Sequence, residues 1–214
     1  MGMVGAAAVV GLLVSTAVVS GAPSSPPPPF HAASAAAFPE GPPTFPEGPA
    51  AFPEGPPARL TGGFGEDSCH ACHWEFEENP AGGELRISGF PETYEPGRTY
   101  DLRIGLERSG MSVAGFQLAA RHAGDTTQAG SFGVPADEED RVEVVTEREI
   151  EFAQHRLGGI EPEEEGATGW SVRWTAPTSD ARVLLHASAV AGDGDQSQMA
   201  DRVYTVELEA GPKR

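Results

Sequence analysis

From about residue 84 to residue 208, apolar and polar side chains take turns along the chain. Tyr100, Leu102, Ile104 and Leu106 alternate with Asp101, Arg103, Gly105 and Glu107. Phe116, Leu118 and Ala120 alternate with Gln117, Ala119 and Arg121. The rhythm continues through Leu85 and Ile87, Trp170, Val172 and Trp174, Val183, Leu185, Ala187 and Ala189, then Tyr204, Val206 and Leu208. Successive side chains of a strand point to opposite faces, so a period of two marks strands with one face buried. Turn signals separate the runs at Glu95-Pro96-Gly97, Ser109-Gly110, Gly124-Asp125, Ala176-Pro177 and Gly192-Asp193-Gly194-Asp195. No stretch in this region carries a capped 3.6-residue period. The pattern predicts eight or nine strands in an all-β, immunoglobulin-like antiparallel β-sandwich. Its predicted core is Leu85, Ile87, Tyr100, Leu102, Ile104, Phe116, Leu118, Trp170, Val172, Trp174, Val183, Leu185 and Val206.

The first 59 residues follow other rules. Val4 to Val19 is uncharged and almost wholly apolar, and Ser20, Gly21 and Ala22 follow. That is the build of a secretory signal peptide over residues 1–22, although no Lys or Arg precedes the apolar run. Residues 23–59 contain Pro26 to Pro29 and three copies of a heptad, Phe38-Pro39-Glu40-Gly41-Pro42, Phe45-Pro46-Glu47-Gly48-Pro49 and Phe52-Pro53-Glu54-Gly55-Pro56. Proline fixes φ and removes a backbone donor, so an extended, unpacked spacer is expected here. It would tether the folded domain, residues 60–210, to a membrane or cell surface. A docking role for the repeated Phe is the alternative.

The only two cysteines lie in Ser68-Cys69-His70-Ala71-Cys72-His73. Cys-x-x-Cys-His is the attachment pattern of c-type haem: Cys69 and Cys72 would form the thioethers and His73 would be the proximal iron ligand. Export suits this reading, because such haem is attached outside the bacterial cytoplasm. Three other readings compete. The two cysteines would form a disulfide in an oxidising compartment, or act as a redox-active thiol pair. They would otherwise bind a metal with His73 and His70.

A haem iron has a sixth position. The candidates to fill it are His70, His122, His155, His186, Met111 and Met199. His155 is the first choice as distal ligand and His186 the second. Both fall opposite the apolar set of their strands, which makes them surface residues by pattern. Met199 would raise the potential. Trp74 and Phe76 follow the motif at once and are candidates to cover a porphyrin edge, or else to pack in the core.

The net charge of −18, from 32 acidic and 14 basic residues, repels nucleic acid and anionic lipid and favours a basic partner or a cation. Asp137-Glu138-Glu139-Asp140 and Glu161-Pro162-Glu163-Glu164-Glu165 offer carboxylates for calcium, but neither has ligands at alternate positions with a glycine at the turn, and Asp193, Asp195 and Asp201 form a looser group. Solvated loops are the simpler expectation. Gly-x-Ser-x-Gly and His-Glu-x-x-His are both missing, so hydrolase chemistry has no motif to stand on.

Several segments recur together in a known order: Thr61-Gly62-Gly63-Phe64-Gly65-Glu66 before the cysteines, Gly89 to Tyr100, Ala114-Gly115-Phe116-Gln117-Leu118, Gln128-Ala129-Gly130, Phe152-Ala153-Gln154-His155, Trp170 to Pro177 and Asp201-Arg202-Val203-Tyr204-Thr205. Over residues 60–210 the chain resembles the bacterial reelin-like (reeler) domain proteins, also called the choice-of-anchor V family. The resemblance implies an exported β-sandwich, often with Cys-x-x-Cys-His near its start. One departure is Ala187 to Asp193, where related sequences tend to have an asparagine-rich turn. The expectation is therefore a non-enzymatic, periplasmic or extracellular mono-haem c-type protein that passes electrons to a redox partner protein or an external acceptor. The alternative is a non-enzymatic reelin-like binding or adhesion module with Cys69 joined to Cys72.

Overall fold

A computed structural model of the chain describes residues 52–213. The apolar segment 1–22 and the first two heptads lie outside the described residues. No helix among the described residues is long and apolar enough to cross a membrane.

Among the described residues, ten strands form two sheets. They are β1 (Gly83–Ser88), β2 (Thr93–Tyr94), β3 (Thr99–Arg108), β4 (Val113–His122), β5 (Ser131–Gly133), β6 (Val142–Glu147), β7 (Ile150–His155), β8 (Ala167–Thr175), β9 (Val183–Gly192) and β10 (Arg202–Pro212). The four-stranded sheet runs β1-β3-β8-β5 and the six-stranded sheet β2-β10-β9-β4-β7-β6. The chain is an all-β sandwich of immunoglobulin-like type. Pairing is antiparallel except where the two-residue β2 runs parallel to β10, Gly211 opposite Thr93 and Pro212 opposite Tyr94. Strands as short as β2 and β5 carry too few residues to show a period, so the alternation undercounts them.

The inner faces meet as the alternation predicts. Leu102, Ile104 and Leu106 of β3 and Trp170, Val172 and Trp174 of β8 face Phe116 and Leu118 of β4 and Val183 and Leu185 of β9, all fully buried. The Phe116 and Trp170 rings lie 4.6 Å apart between centroids and join the two sheets. Burial of a Phe side chain contributes about 1.5–3 kcal/mol. Both buried indoles donate to carbonyls, Trp170 to Gly159 at 2.8 Å and Trp174 to Ala129 at 2.9 Å, so neither leaves a polar atom stranded. Ile87, Tyr100 and Val206 pack at the edge of this core, only partly buried.

The outer face of the six-stranded sheet departs from expectation. Gln117, Gln154, Ser188 and Arg121 sit at outward positions and are nonetheless buried. The chain from Phe52 onward runs across them. Its backbone needs partners, and those polar side chains supply them. Leu60 N donates to Gln117 Oε1 at 2.7 Å, and Gln117 Nε2 donates to Pro57 O at 3.0 Å. Arg121 pairs with Glu66, which Arg59 also reaches at 3.2 Å. The tail of the expected spacer, residues 52–59, is thus packed against the sheet. β7 is turned accordingly: Ile150 and Phe152 fill a second, smaller core with Ala119, Ala58 and Phe64, while Ala153 joins the main one.

Candidate functional site

The cysteine motif lies within this outer layer. Ser68 is extended and accepts from His70 N at 3.0 Å, which starts a single turn of 3-10 helix at Cys69–Ala71. Cys69 O then receives both Cys72 N at 3.3 Å and His73 N at 3.1 Å. Residues three apart eclipse in such a turn, so Cys69 and Cys72 come to the same side. The turn is pinned to β9 by Cys69 N donating to Ser188 Oγ at 3.1 Å.

His73 is held from the other end of the sequence. Its Nδ1 lies 2.6 Å from Oδ2 of the buried Asp201. Asp201 Oδ1 accepts from Asp193 N at 3.3 Å. With the proton on Nδ1, this pairing fixes the ring and leaves the Nε2 lone pair uncommitted, which is how a carboxylate orients a metal-binding imidazole. Gly192 makes the approach achievable, since a Cβ there would come within 2.8 Å of Val113 Cγ2 and 3.0 Å of Asp201 Oδ1.

Cys69, Cys72, His73 and Asp201 line one cavity of about 540 Å³. Much of the remaining wall is apolar or glycine, including Phe52, Pro53, Pro56, Leu60, Val113, Gly115, Ile160 and Val190. Its size falls inside the roughly 300–1,000 Å³ of ordinary ligand pockets. Two thiols on one turn, an oriented imidazole beside them and an apolar wall are the donor set that a covalently held haem requires, so the residues present fit that group.

His155 reaches the same cavity by an unexpected route. It is buried at the end of β7, where the β4–β7 ladder stops after Gln117–Gln154. Its ring takes over from the ladder: Nδ1 accepts from Phe116 N at 3.0 Å, and Nε2–H donates to Phe52 O at 3.1 Å. Gly115 makes room, because a Cβ there would meet the ring at 2.6 Å. Burial pushes the His155 pKa down, against smaller opposing contributions from these backbone bonds and Glu143. His155 is therefore a neutral interior residue and not the surface residue its strand pattern predicts. Both ring nitrogens are already bonded, so a ligand role would require Phe52 to let go.

The other candidates lie elsewhere. His186 is not on the cavity wall; its Nε2 pairs with Glu207 at 2.8 Å and its ring meets Phe64 edge-on at 4.5 Å. His70 is turned to Phe76 O at 2.7 Å, so it does not join Cys69, Cys72 and His73. Among the described residues no group of three or more His, Cys, Asp or Glu is arranged to hold a metal ion. Met111 belongs to the main core, and Met199 and Trp74 are exposed. Phe76 lies under the Arg202 guanidinium. Of the acidic loops, Glu138 is buried and accepts from Ser171 N at 3.1 Å and Arg141 Nη1 at 3.0 Å. Asp193 and Asp195 cap turns of their own loop.

Both cysteines are free thiols, so the disulfide of the binding-module reading is absent between them. Burial pushes the Cys69 thiol up to about 11, with the bond from Ser188 opposing. A thiol raised in this way is a poor exchange nucleophile, so Cys69 is not the attacking member of a redox-active pair. Asp201 is the site residue that sequence reasoning missed. It stood only in a loose acidic group, although it also opens the segment Asp201 to Thr205 that leads into β10.

Fold and cavity together define a class: a β-sandwich module with two thiols and one oriented imidazole in a cavity on the outer face of its larger sheet. Among solved structures, the chain is similar to the human F-spondin reeler domain (fragment 1), with 21% identity and a TM-score of 0.45 over 64% of this chain and 92% of that one. The Reelin-N domain of F-spondin gives 21% identity and 0.44, over 64% and 91%. A cohesin module from a Clostridium perfringens ATCC13124 family 33 glycoside hydrolase gives 14% and 0.39, over 61% and 98%. These likenesses assign no activity. No family model matches the chain, and no curated protein matches it.

Proposed function

We propose that this chain is an exported, non-catalytic β-sandwich that carries one haem c in the cavity beside the Cys69–Ala71 turn and serves as a single-electron carrier. The observation that supports it best is the convergence of Cys69, Cys72 and His73 on one largely apolar cavity, with His73 oriented by Asp201. Cys69 and Cys72 would hold the porphyrin covalently and His73 Nε2 the iron. The group itself would supply the change of valence. The protein's part is to fix the imidazole through Asp201, to keep water away with Phe52, Leu60, Val113 and Ile160, and to present an acidic surface to a basic redox partner or an external acceptor. Export rests on the apolar segment 1–22 and on the compartment in which such haem is attached.

Full-length protein made in a host with haem-maturation machinery is expected to show a Soret band and to keep it after denaturation and acid–organic extraction. A colourless product would remove the electron-carrier reading. A second reading, a non-enzymatic extracellular binding module of reelin-like type, is favoured by one specific feature. Cys69 is a protonated thiol whose backbone is built into the sheet through Ser188, as a purely structural residue would be. The colourless outcome would support it.

A further inference from the structure

The third Phe-Pro-Glu-Gly-Pro unit is gripped in a way that its sequence neighbours can match. Phe52 O accepts from Gly55 N at 3.1 Å, closing the unit's own turn, and from His155 Nε2 at 3.1 Å, clamping that turn to β7. Gly55 has φ +119, and a Cβ there would lie 2.6 Å from Gln154 Nε2 and 3.1 Å from His155 O, so only glycine fits. Pro53 and Pro56 form cavity wall, and the carbonyl of Pro57 takes the Gln117 amide. Glu54 is exposed. The groove thus reads two backbone carbonyls, one glycine and two prolines.

All of these are present seven residues earlier. Phe45-Pro46-Glu47-Gly48-Pro49 repeats the unit, and Ala50 offers the second carbonyl. We propose that the groove beside His155 and Gln117 is a receptor for the unit itself, and that Phe45–Pro49 exchanges with Phe52–Pro56 in it. Each exchange moves the anchored register of the N-terminal segment by one heptad, up to about 23 Å of extended chain. The extra seven residues would bulge out before Leu60, which weakens the upstream unit by roughly tenfold in loop-closure entropy. The third unit is then the resident and the second its substitute. The inference does not rest on the haem reading, because it uses only contacts on the protein side of the groove.

The test follows the hydrogen-bonded Nε2–H of His155 by NMR in the full-length chain. Deleting residues 52–58 joins Ala51 to Arg59, which gives Phe45–Pro49 the spacing of Phe52–Pro56, and is expected to leave that proton's shift and its exchange protection within about twofold of the parent. Gly55→Val is expected to keep the signal, with exchange faster by up to about tenfold. Replacing Gly41, Gly48 and Gly55 all by Val is expected to abolish it, and a synthetic peptide of residues 44–51 to restore it. Loss of the signal in the deletion, or equal loss in Gly55→Val and the triple variant, would overturn the proposal. Protection in Gly55→Val that rises with protein concentration would also overturn it, since a second copy would then be supplying the unit.

Discussion

His73 Nδ1 and Asp201 Oδ2 lie 2.6 Å apart across 128 positions of sequence. One follows the second cysteine at the front of the domain, and the other stands just before the last strand. The pair ties the motif to the sandwich and holds the His73 ring through its Nδ1. Replacing Asp201 by Ala leaves the His73 N–H and the Asp193 N–H without their acceptor. The loss is expected to cost about 1–3 kcal/mol, read as a lower midpoint in urea unfolding. In haem-loaded protein, Asp201→Asn is expected to raise the reduction potential, because a neutral acceptor makes the imidazole less basic. An unchanged potential and an unchanged midpoint would detach Asp201 from the site.

Gly115 and His155 are in similarly close contact. Gly115→Ala puts a methyl group where the His155 ring already stands, 2.6 Å away. The ring has to leave Phe116, and the expected destabilisation is about 1–3 kcal/mol, as for other overpacked sites. Thermal or urea unfolding measures it. Gly97→Ala is a useful contrast: nothing lies within 4 Å of its Cβ position, so any cost there comes from its φ of +73 alone.

Acid should loosen the protein through the buried His155 and the partly buried His186. Burial holds the pKa of both His155 and His186 below the ordinary 6.5. Each therefore binds a proton more readily in the unfolded chain. Stability from this source is complete above about pH 6.5 and falls as the pH drops toward the folded-state values. For His155 the slope is at most about 1.4 kcal/mol per pH unit. His155→Gln is expected to flatten the pH profile of unfolding between pH 7 and 5. An unaltered profile would show that His155 titrates alike in both states.

The thiols should differ in haem-free protein. With its pKa near 11, Cys69 presents roughly a thousandth of its thiol as thiolate at pH 8. Cys72 is less buried. Alkylation with iodoacetamide at pH 8, followed by peptide mapping, is expected to label Cys72 first and Cys69 only on unfolding. Equal rates would contradict the burial of Cys69.

The sandwich was readable because β3 from Leu102 to Leu106 and β8 from Trp170 to Trp174 bury alternate residues. The outer layer was not. Outward residues such as Gln117, Gln154 and Ser188 look like surface positions, and only their partners, brought in from Phe52 to Cys69, show them as buried. A faint sign was present in Ala119 and Val190, small or apolar residues at outward positions of central strands, as expected where a sheet is covered on both faces. His155 was misread for the same reason, since strand parity cannot reveal that a ring has replaced a ladder bond. The proline-rich tail was misread because proline excludes regular pairing but not carbonyl acceptance, and Phe52 and Pro57 are held through their carbonyls. The cysteine motif depends on local spacing, which sets the single turn at Cys69–Ala71 but not what the cavity beside it holds.

Mass spectrometry of the peptide spanning Ser68 to His73, from protein matured in a haem-attaching host, decides whether this cavity is a haem site. One peptide in which both Cys69 and Cys72 are bonded to a single haem is expected. Two unmodified, alkylatable thiols in that peptide would contradict it.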